Sequence, residues 1–242
     1  MNLDVNFLKD KFISCKKFNL DEIIKFAYKD LQLRTIKGHD NNVATKCCNY
    51  LRTVFEEIVN NQNQITDFNK THESLCDGFL RVINAFVPKI EEQKYGKAQK
   101  VINIIIKFLV AHNVWGNEDN CHTPIDSYVL RWLYNKDNYN GKSWSNLDKA
   151  DYIAIQNDIL DKIKYPIKIS NIEFRVKNRI EVDFYVWHIT RVQQNYNNVK
   201  KSMKTLIHRM EINDSECIDK EMTKEILLSM ETLKNKIDEM FK

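Results

Sequence analysis

Residues that break helices are scarce in this chain. Its 242 residues include only five glycines and three prolines, which is well below the usual share of both. Pro88, Pro124 and Pro166 fall between segments in which apolar residues have helical spacing, and not inside them. Because the interior of a helix tolerates neither residue type well, this distribution predicts an all-α fold. We expect a single α-helical domain over residues 1–242.

The clearest amphipathic helix follows Asp40, where apolar residues recur at intervals of three and four. These residues are Val43, Cys47, Tyr50, Leu51, Val54, Phe55 and Ile58. Between Ala98 and Val110 apolar residues cover most of the helix circumference, so we expect that helix to be central and buried. A further helix is predicted from about Ser127 to Tyr134.

The C-terminal third contains two long helical segments, roughly 179–211 and 216–241. A polar turn separates them, so they predict an antiparallel helical hairpin over 179–242. Before these segments, Asp148 is placed to cap the start of the helix that follows it, which carries Tyr152, Ile155 and Ile159. Residues 166–176 fit two alternatives, because their apolar residues alternate as in a strand pair while Asn171 is also a suitable helix cap.

The composition limits the classes of function. There are 37 basic and 33 acidic residues, which give a net charge of +4 and a mixed surface that permits nucleic acid as a partner without demanding it. The chain shows no signal peptide and no apolar run that would span a bilayer, and its six cysteines form no disulfide framework. We therefore expect a cytoplasmic protein with reduced thiols and no membrane partner.

Two motifs within residues 94–132 carry the main functional prediction. Residues 95–103 read YGKAQKVIN and open an apolar helix, and residues 124–131 read PIDSYVLR and open the next one. Helix-hairpin-helix DNA glycosylases of the endonuclease III and 8-oxoguanine glycosylase type have a glycine hairpin, then Lys-x-x-Asn, then an aspartate followed by Val and Arg. The chain resembles that core in order and chemistry. With Trp144, Tyr152 and Gln156, the same motifs are also similar to a group of uncharacterised bacterial proteins.

The resemblance implies DNA as the partner and base excision as the activity. Lys100 matches the lysine that attacks the sugar carbon, and Asp126 matches the carboxylate that stabilises the developing sugar cation. The attacking amine must be neutral, which burial favours. The implied nucleic-acid contacts are Lys94, Gly96, Lys97, Asn103 and Arg131. The flipped base needs an aromatic pocket, for which the candidates are Trp115, Tyr128 and Trp132.

Several of these residues also have structural interpretations. Asp126 is well placed to cap its own helix, Lys100 fits a solvated helix face, and Asn103 fits a residue that satisfies a neighbouring backbone group. The same holds for the basic run Lys94, Lys97, Lys100 and Lys107, which is also typical of a solvated face. The pair Cys121-His122 with His112 lacks the spacing of a metal site, and without a C-terminal four-cysteine cluster an iron–sulfur centre is excluded. We expect neither a metal nor a cofactor.

Two other functions remain open. The chain is alternatively a non-enzymatic interaction or regulatory protein, which would form homo-oligomers through apolar residues of the C-terminal hairpin such as Phe184, Trp187, Ile189 and Val192. Arg34 and His39 also match the Arg-x4-His spacing of HEPN-type ribonucleases, which are all-helical RNA-cleaving enzymes. Gly38 argues against one continuous helix through that pair.

Overall fold

A computed structural model describes residues 4–13, 17–35, 41–61, 65–86, 94–134, 141–169 and 172–212, together with residues 228 and 231. Most of these residues are helical, which confirms the all-α prediction. The helices are α1 (Val5–Ile13), α2 (Leu20–Thr35), α3 (Asn41–Asn61), α4 (Phe68–Phe86), α5 (Tyr95–Ala111), α6 (Ser127–Tyr134), α7 (Lys149–Lys162) and α8 (Arg179–Ile212). Strands β1 (Ile167–Ile169) and β2 (Ile172–Phe174) pair in a two-stranded sheet.

The strand pair resolves the ambiguity at 166–176. The helix capped at Asn171 is not formed, since residues 172–174 are extended, and Asn171 itself lies outside the described residues. None of the described helices has the length and apolar character needed to cross a membrane.

Contacts within the chain separate two compact units. The first comprises Met1–Ile167 and Glu173–Trp187, and the second comprises Lys168–Ile172 and His188–Lys242. The single domain over 1–242 therefore stays a prediction. So does the second arm of the C-terminal hairpin, because residues 216–241 lie outside the described part of the chain except at positions 228 and 231.

Helix α5 is the centre of the first unit, as its sequence predicts. It packs against α1, α2, α4 and α7, and 14 of its 17 residues are buried. Four of those buried residues are polar or charged: Gln99, Lys100, Asn103 and Lys107. Because buried polar groups need partners, these four side chains organise the interior around them.

The helix starts next to α5 follow from local capping. Asp126 precedes α6, and its Oδ1 accepts hydrogen bonds from the backbone N–H groups of Tyr128 at 2.8 Å and Val129 at 3.1 Å. Asp148 caps α7 in a reciprocal capping box with Asp151. Both predicted caps are confirmed, and α6 has the predicted bounds.

Candidate functional site

Gln99 joins the start of α5 to the start of α6. Its Nε2 donates to the carbonyl oxygens of Gly96 at 2.9 Å and Ile125 at 2.8 Å, and its Oε1 accepts from the Ile125 N–H at 3.0 Å. The residue before Lys100 is therefore held by two hydrogen bonds to the residue before Asp126. This link fixes the two helix starts that carry the predicted catalytic pair.

Lys100 lies in the interior beside a carboxylate. The residue is 3% exposed, and its Nζ is 2.9 Å from Oδ2 of Asp30 on α2. The same Nζ lies 4.6 Å from the centre of the Trp144 ring, which covers it. The Asp30 side chain is partly exposed, so the carboxylate that pairs with the buried amine is in contact with solvent. The sequence offered no signal for Asp30.

Asp126 is also buried, with 9% of its surface exposed. Burial raises the pKa of its carboxyl group, the negative charge of Asp183 raises it further, and the positive charge of Lys100 lowers it. The electrostatic influence of both residues indicates that Asp126 and Lys100 belong to one group of buried charges.

Lys107 completes this group by pairing with Asp183 on α8. Its Nζ lies 2.5 Å from Oδ2 of Asp183 and 4.0 Å from the centre of the Phe12 ring, and both paired side chains are almost fully buried. We call Asp30, Lys100, Lys107, Asp126 and Asp183 the charged cluster. Glu181 and Asp183 both interrupt the apolar residues between Ile180 and Val186, so the sequence carries no signal that singles out Asp183.

An uncharged hydrogen-bonded chain runs from α5 in the other direction. The Nδ2 of Asn103 donates to Oε1 of Gln99 at 3.2 Å and to the hydroxyl of Tyr152 at 2.9 Å. That hydroxyl is 2.7 Å from Nδ1 of His122, whose Nε2 is 2.9 Å from Oδ1 of Asn69. We call these five residues the polar chain; it connects the interior to the start of α4.

Burial keeps the histidines near this chain neutral. It lowers the pKa of His72 to about 3 and places the pKa of His122 well below its usual range. A neutral imidazole donates from one nitrogen and accepts at the other. The amide oxygen of Asn69 only accepts, so Nε2 of His122 carries the proton and Nδ1 accepts from the Tyr152 hydroxyl.

The predicted nucleic-acid contacts divide between interior and surface. Gly96 donates its N–H to the Leu147 carbonyl at 2.9 Å, and a Cβ there would overlap the Trp144 carbonyl oxygen, so this glycine serves packing. The Nδ2 group of Asn103 donates to Gln99 and Tyr152, both members of the polar chain. Neither donor is directed at a phosphate.

Three cations of the predicted contact set remain at or near the surface. Lys94 is exposed and Lys97 is half-buried. Arg131 is exposed, donates from Nε to the Ser127 carbonyl at 3.0 Å and lies over the Tyr128 ring.

The three aromatic candidates for a base pocket lie on two elements. Tyr128 and Trp132 are half-buried one turn apart on α6, and Nζ of Lys162 lies 4.5 Å from the centre of the Trp132 ring. Trp115 is buried, donates from Nε1 to the Asn117 carbonyl at 3.2 Å and packs edge-on against Phe68 at the start of α4. The structure thus brings Tyr128 and Trp132 together, while Trp115 has a structural role near α4.

The ribonuclease alternative stays a prediction, because His39 and the side chain of Arg34 lie outside the described residues.

The oligomer alternative relied on apolar residues of α8. Phe184 and Ile189 are buried, and the Phe184 ring packs on Phe12, so these two residues do not offer apolar surface to a second copy. That part of the oligomer hypothesis is corrected. The described residues hold no group of three or more His, Cys, Asp or Glu arranged for a metal ion.

Comparison with known proteins found no matching family model, no matching curated sequence and no matching solved structure.

Proposed function

We propose that the chain binds DNA and removes a base from it, with Lys100 as the nucleophile and Asp126 as the carboxylate that stabilises the sugar cation. The observation that carries this proposal is the double hydrogen bond between Gln99 and Ile125, which ties together the helix starts bearing the two residues. Together with the Lys100 charge felt at Asp126, it supports a paired amine and carboxylate in one site.

The chemistry requires Lys100 to lose a proton first. A protonated amine has no lone pair, so it cannot attack the sugar carbon. Asp30, 2.9 Å from Nζ and partly exposed, is the proton acceptor within reach. The neutral amine then forms a bond to the sugar carbon, and the base departs with the electrons of the glycosidic bond and takes up a proton.

The environment of Asp126 suits it to respond to a developing cation. Asp126 is buried, so its carboxylate interacts with a positive charge arising beside it more strongly than the same two charges would in water. Because Trp144 covers the Lys100 amine, the segment at 141–146 must move before a sugar reaches it. Base flipping into the site therefore depends on displacing Trp144.

Borohydride trapping on abasic-site DNA tests this proposal, since it captures a covalent adduct between the sugar and an amine. We expect wild type to give an adduct and Lys100→Ala to give none. Asp126→Asn keeps a good helix cap and should abolish base release from a panel of damaged duplexes at low salt, where phosphate contacts are strongest.

Lys29→Ala is the matched control, because Lys29 is an exposed lysine on α2 next to Asp30. It should trap as wild type does. Asp30→Asn is the second test and should slow adduct formation, and it should also lower stability because it removes the carboxylate beside a buried lysine. Equal trapping by Lys100→Ala and wild type, or no binding of any duplex at low salt, contradicts the proposal.

The second candidate function is the non-enzymatic interaction or regulatory protein. It is favoured by the ion pair of Lys107 with Asp183, which is buried like that of Lys100 with Asp30 and has no predicted role in chemistry. In that case the charges only join α5 to α2 and α8. A folded Lys100→Ala variant with no lost activity in any DNA assay is the outcome that this candidate predicts.

A further inference from the structure

Arg179, the first residue of α8, is buried and forms no ion pair with a carboxylate in the part of the chain that the structure describes. The residue is 8% exposed, and its Nη2 donates to the Asn120 carbonyl at 3.0 Å. Its Nε is buried with no acceptor among the described residues, and none of their ion pairs includes Arg179. A buried charge without an ionic partner destabilises the fold. An anion at this position would supply the missing partner.

A pocket of about 220 Å³ lies beside the guanidinium group. Its lining residues are Thr66, Asp67, Phe68, Asn69, Asn120 and Arg179. Pockets for drug-sized ligands measure roughly 300–1,000 Å³, so this one suits a small group and not a large apolar ligand. All six residues belong to the first unit.

Donors other than Arg179 also line this pocket. Helix α4 begins at Phe68, so the positive end of its dipole lies at the pocket, where the Asp67 carboxylate already accepts from the N–H groups of Asn69 and Lys70. The amide oxygen of Asn69 is occupied by His122 at 2.9 Å, which leaves its Nδ2 group to donate elsewhere. A planar guanidinium with neighbouring amide donors is the arrangement that phosphate oxygens bind best.

Asp67 is the opposing charge in this pocket. Its Oδ1 caps α4 by accepting from the Lys70 N–H at 3.1 Å, and its Oδ2 lies 3.4 Å from the Lys70 ammonium group. These interactions lower the pKa of Asp67, so it remains a carboxylate. Its negative charge weakens the binding of any anion, so removing that charge tests whether the pocket binds one.

We propose that this pocket binds a phosphate group, with Arg179 as the anchoring cation, the Asn69 amide group as a further donor and the positive end of the α4 dipole beside them. The site does not depend on base excision. It lies at the Asn69 end of the polar chain, and Lys100→Ala should leave its affinity for phosphate unchanged.

The test is a calorimetric titration of the full chain with inorganic phosphate at constant ionic strength. Asn69→Asp places a negative charge at the rim while keeping an oxygen for His122, and we expect it to weaken binding by at least about tenfold, or 1.4 kcal/mol. Arg179→Gln should abolish binding. Asp67→Asn keeps the helix cap and should strengthen binding.

Asn157→Asp is the matched control, because it adds the same charge at an exposed position of α7. It should bind phosphate as wild type does. Absence of saturable phosphate binding, or equal affinity in Asn69→Asp and wild type, overturns the proposal.

Two competitors distinguish the sources of the phosphate. Displacement of inorganic phosphate by a nucleoside monophosphate alone identifies a small phosphorylated molecule as the ligand. Displacement by a DNA duplex, lost in Asn69→Asp, identifies the DNA backbone.

Discussion

At the scale of single residues, the buried charges of α5 are the feature that sequence patterns describe least well. Lys100 and Lys107 lie two turns apart on a helix whose apolar pattern predicts burial, yet their spacing with Lys94 and Lys97 also fits a solvated basic face. Both lysines prove to be buried, because Asp30 and Asp183 approach from other helices. Periodicity reports how deeply a helix is buried. It does not report partners that come from distant parts of the chain.

Gly96 is a residue whose role the structure explains differently from the sequence. The sequence suggested approach to a phosphate, whereas the structure brings the backbone of Trp144 against it. Only the absence of a Cβ was predictable as a requirement. Which backbone would come close was not, because the 141–147 segment lies far along the chain.

This close approach gives a test of stability. In Gly96→Ala the new methyl group meets a backbone carbonyl that cannot rotate away, and overpacking of this kind costs about 1–3 kcal/mol. The higher helix propensity of alanine offsets about 1 kcal/mol. We therefore expect the free energy of unfolding to fall by up to about 2 kcal/mol, measured by urea denaturation.

Gly116→Ala is the matched control, since nothing lies within 4 Å of a Cβ at that exposed glycine. Its stability should change by less than about 0.5 kcal/mol. Equal effects of the two substitutions would show that the contact at Gly96 has no energetic weight.

At the scale of secondary structure elements, local signals predicted helices α5, α6, α7 and α8 well. The bounds of α6 match because Pro124 and the Asp126 cap define its start within a few residues. Helix α1 was not predicted, since nine residues hold too few turns for a clear periodic pattern. The strand pair after α7 was only one of two alternatives, because short alternating segments resemble short helices with caps.

The capping box at the start of α7 allows a test on one element. Asp148 accepts from the backbone N–H of Asp151 at 2.9 Å, so Asp148→Ala leaves that donor without a protein partner. We expect Asp148→Ala to lower the free energy of unfolding by about 1 kcal/mol. Asp148→Ser should be nearly as stable as wild type, because serine is also a good helix cap.

Asn157→Ala, at an exposed position in the middle of α7, serves as the control. It removes a polar side chain without touching a cap and should be neutral or slightly stabilising because alanine favours helices. If Asp148→Ala and Asn157→Ala are equally stable, the cap does not contribute to folding.

At the scale of the whole molecule, the fold class was predictable and the interior polarity was not. Few glycines and prolines together with helical spacing lead to a helical protein whatever the details of packing. The charged cluster and the polar chain, in contrast, draw residues from α2, α4, α5, α7, α8 and the loop before α6. Groups assembled from so many elements leave no local pattern, which is why Lys100 and Asp126 were predicted as a site while Asp30, Asn69 and Asp183 were not.

These buried groups make global stability depend on pH in two opposite ways. The raised pKa of Asp126 means that the native state holds this proton more readily than the unfolded chain, so falling pH favours folding through this group. The lowered pKa of His72 and of His122 acts in the other direction. Acid stability therefore reports which buried group dominates, and a single substitution separates them.

We expect the histidines to dominate between pH 6.5 and pH 5. Below pH 6.5 the unfolded chain takes up a proton at residue 72, while native His72, with its pKa at about 3, does not until far lower pH. Each such proton destabilises the fold by up to about 1.4 kcal/mol per pH unit.

Urea denaturation at pH 7, 6 and 5 should show that wild type loses stability as the pH falls. His72→Gln, which removes the titrating group, should lose nearly 1.4 kcal/mol per pH unit less than wild type. Burial also lowers the pKa of His112, but this histidine is only half-buried, so His112→Gln should reduce the loss of stability by less than His72→Gln does. If His72→Gln loses stability as steeply as wild type, then burial does not hold native His72 neutral in this pH range.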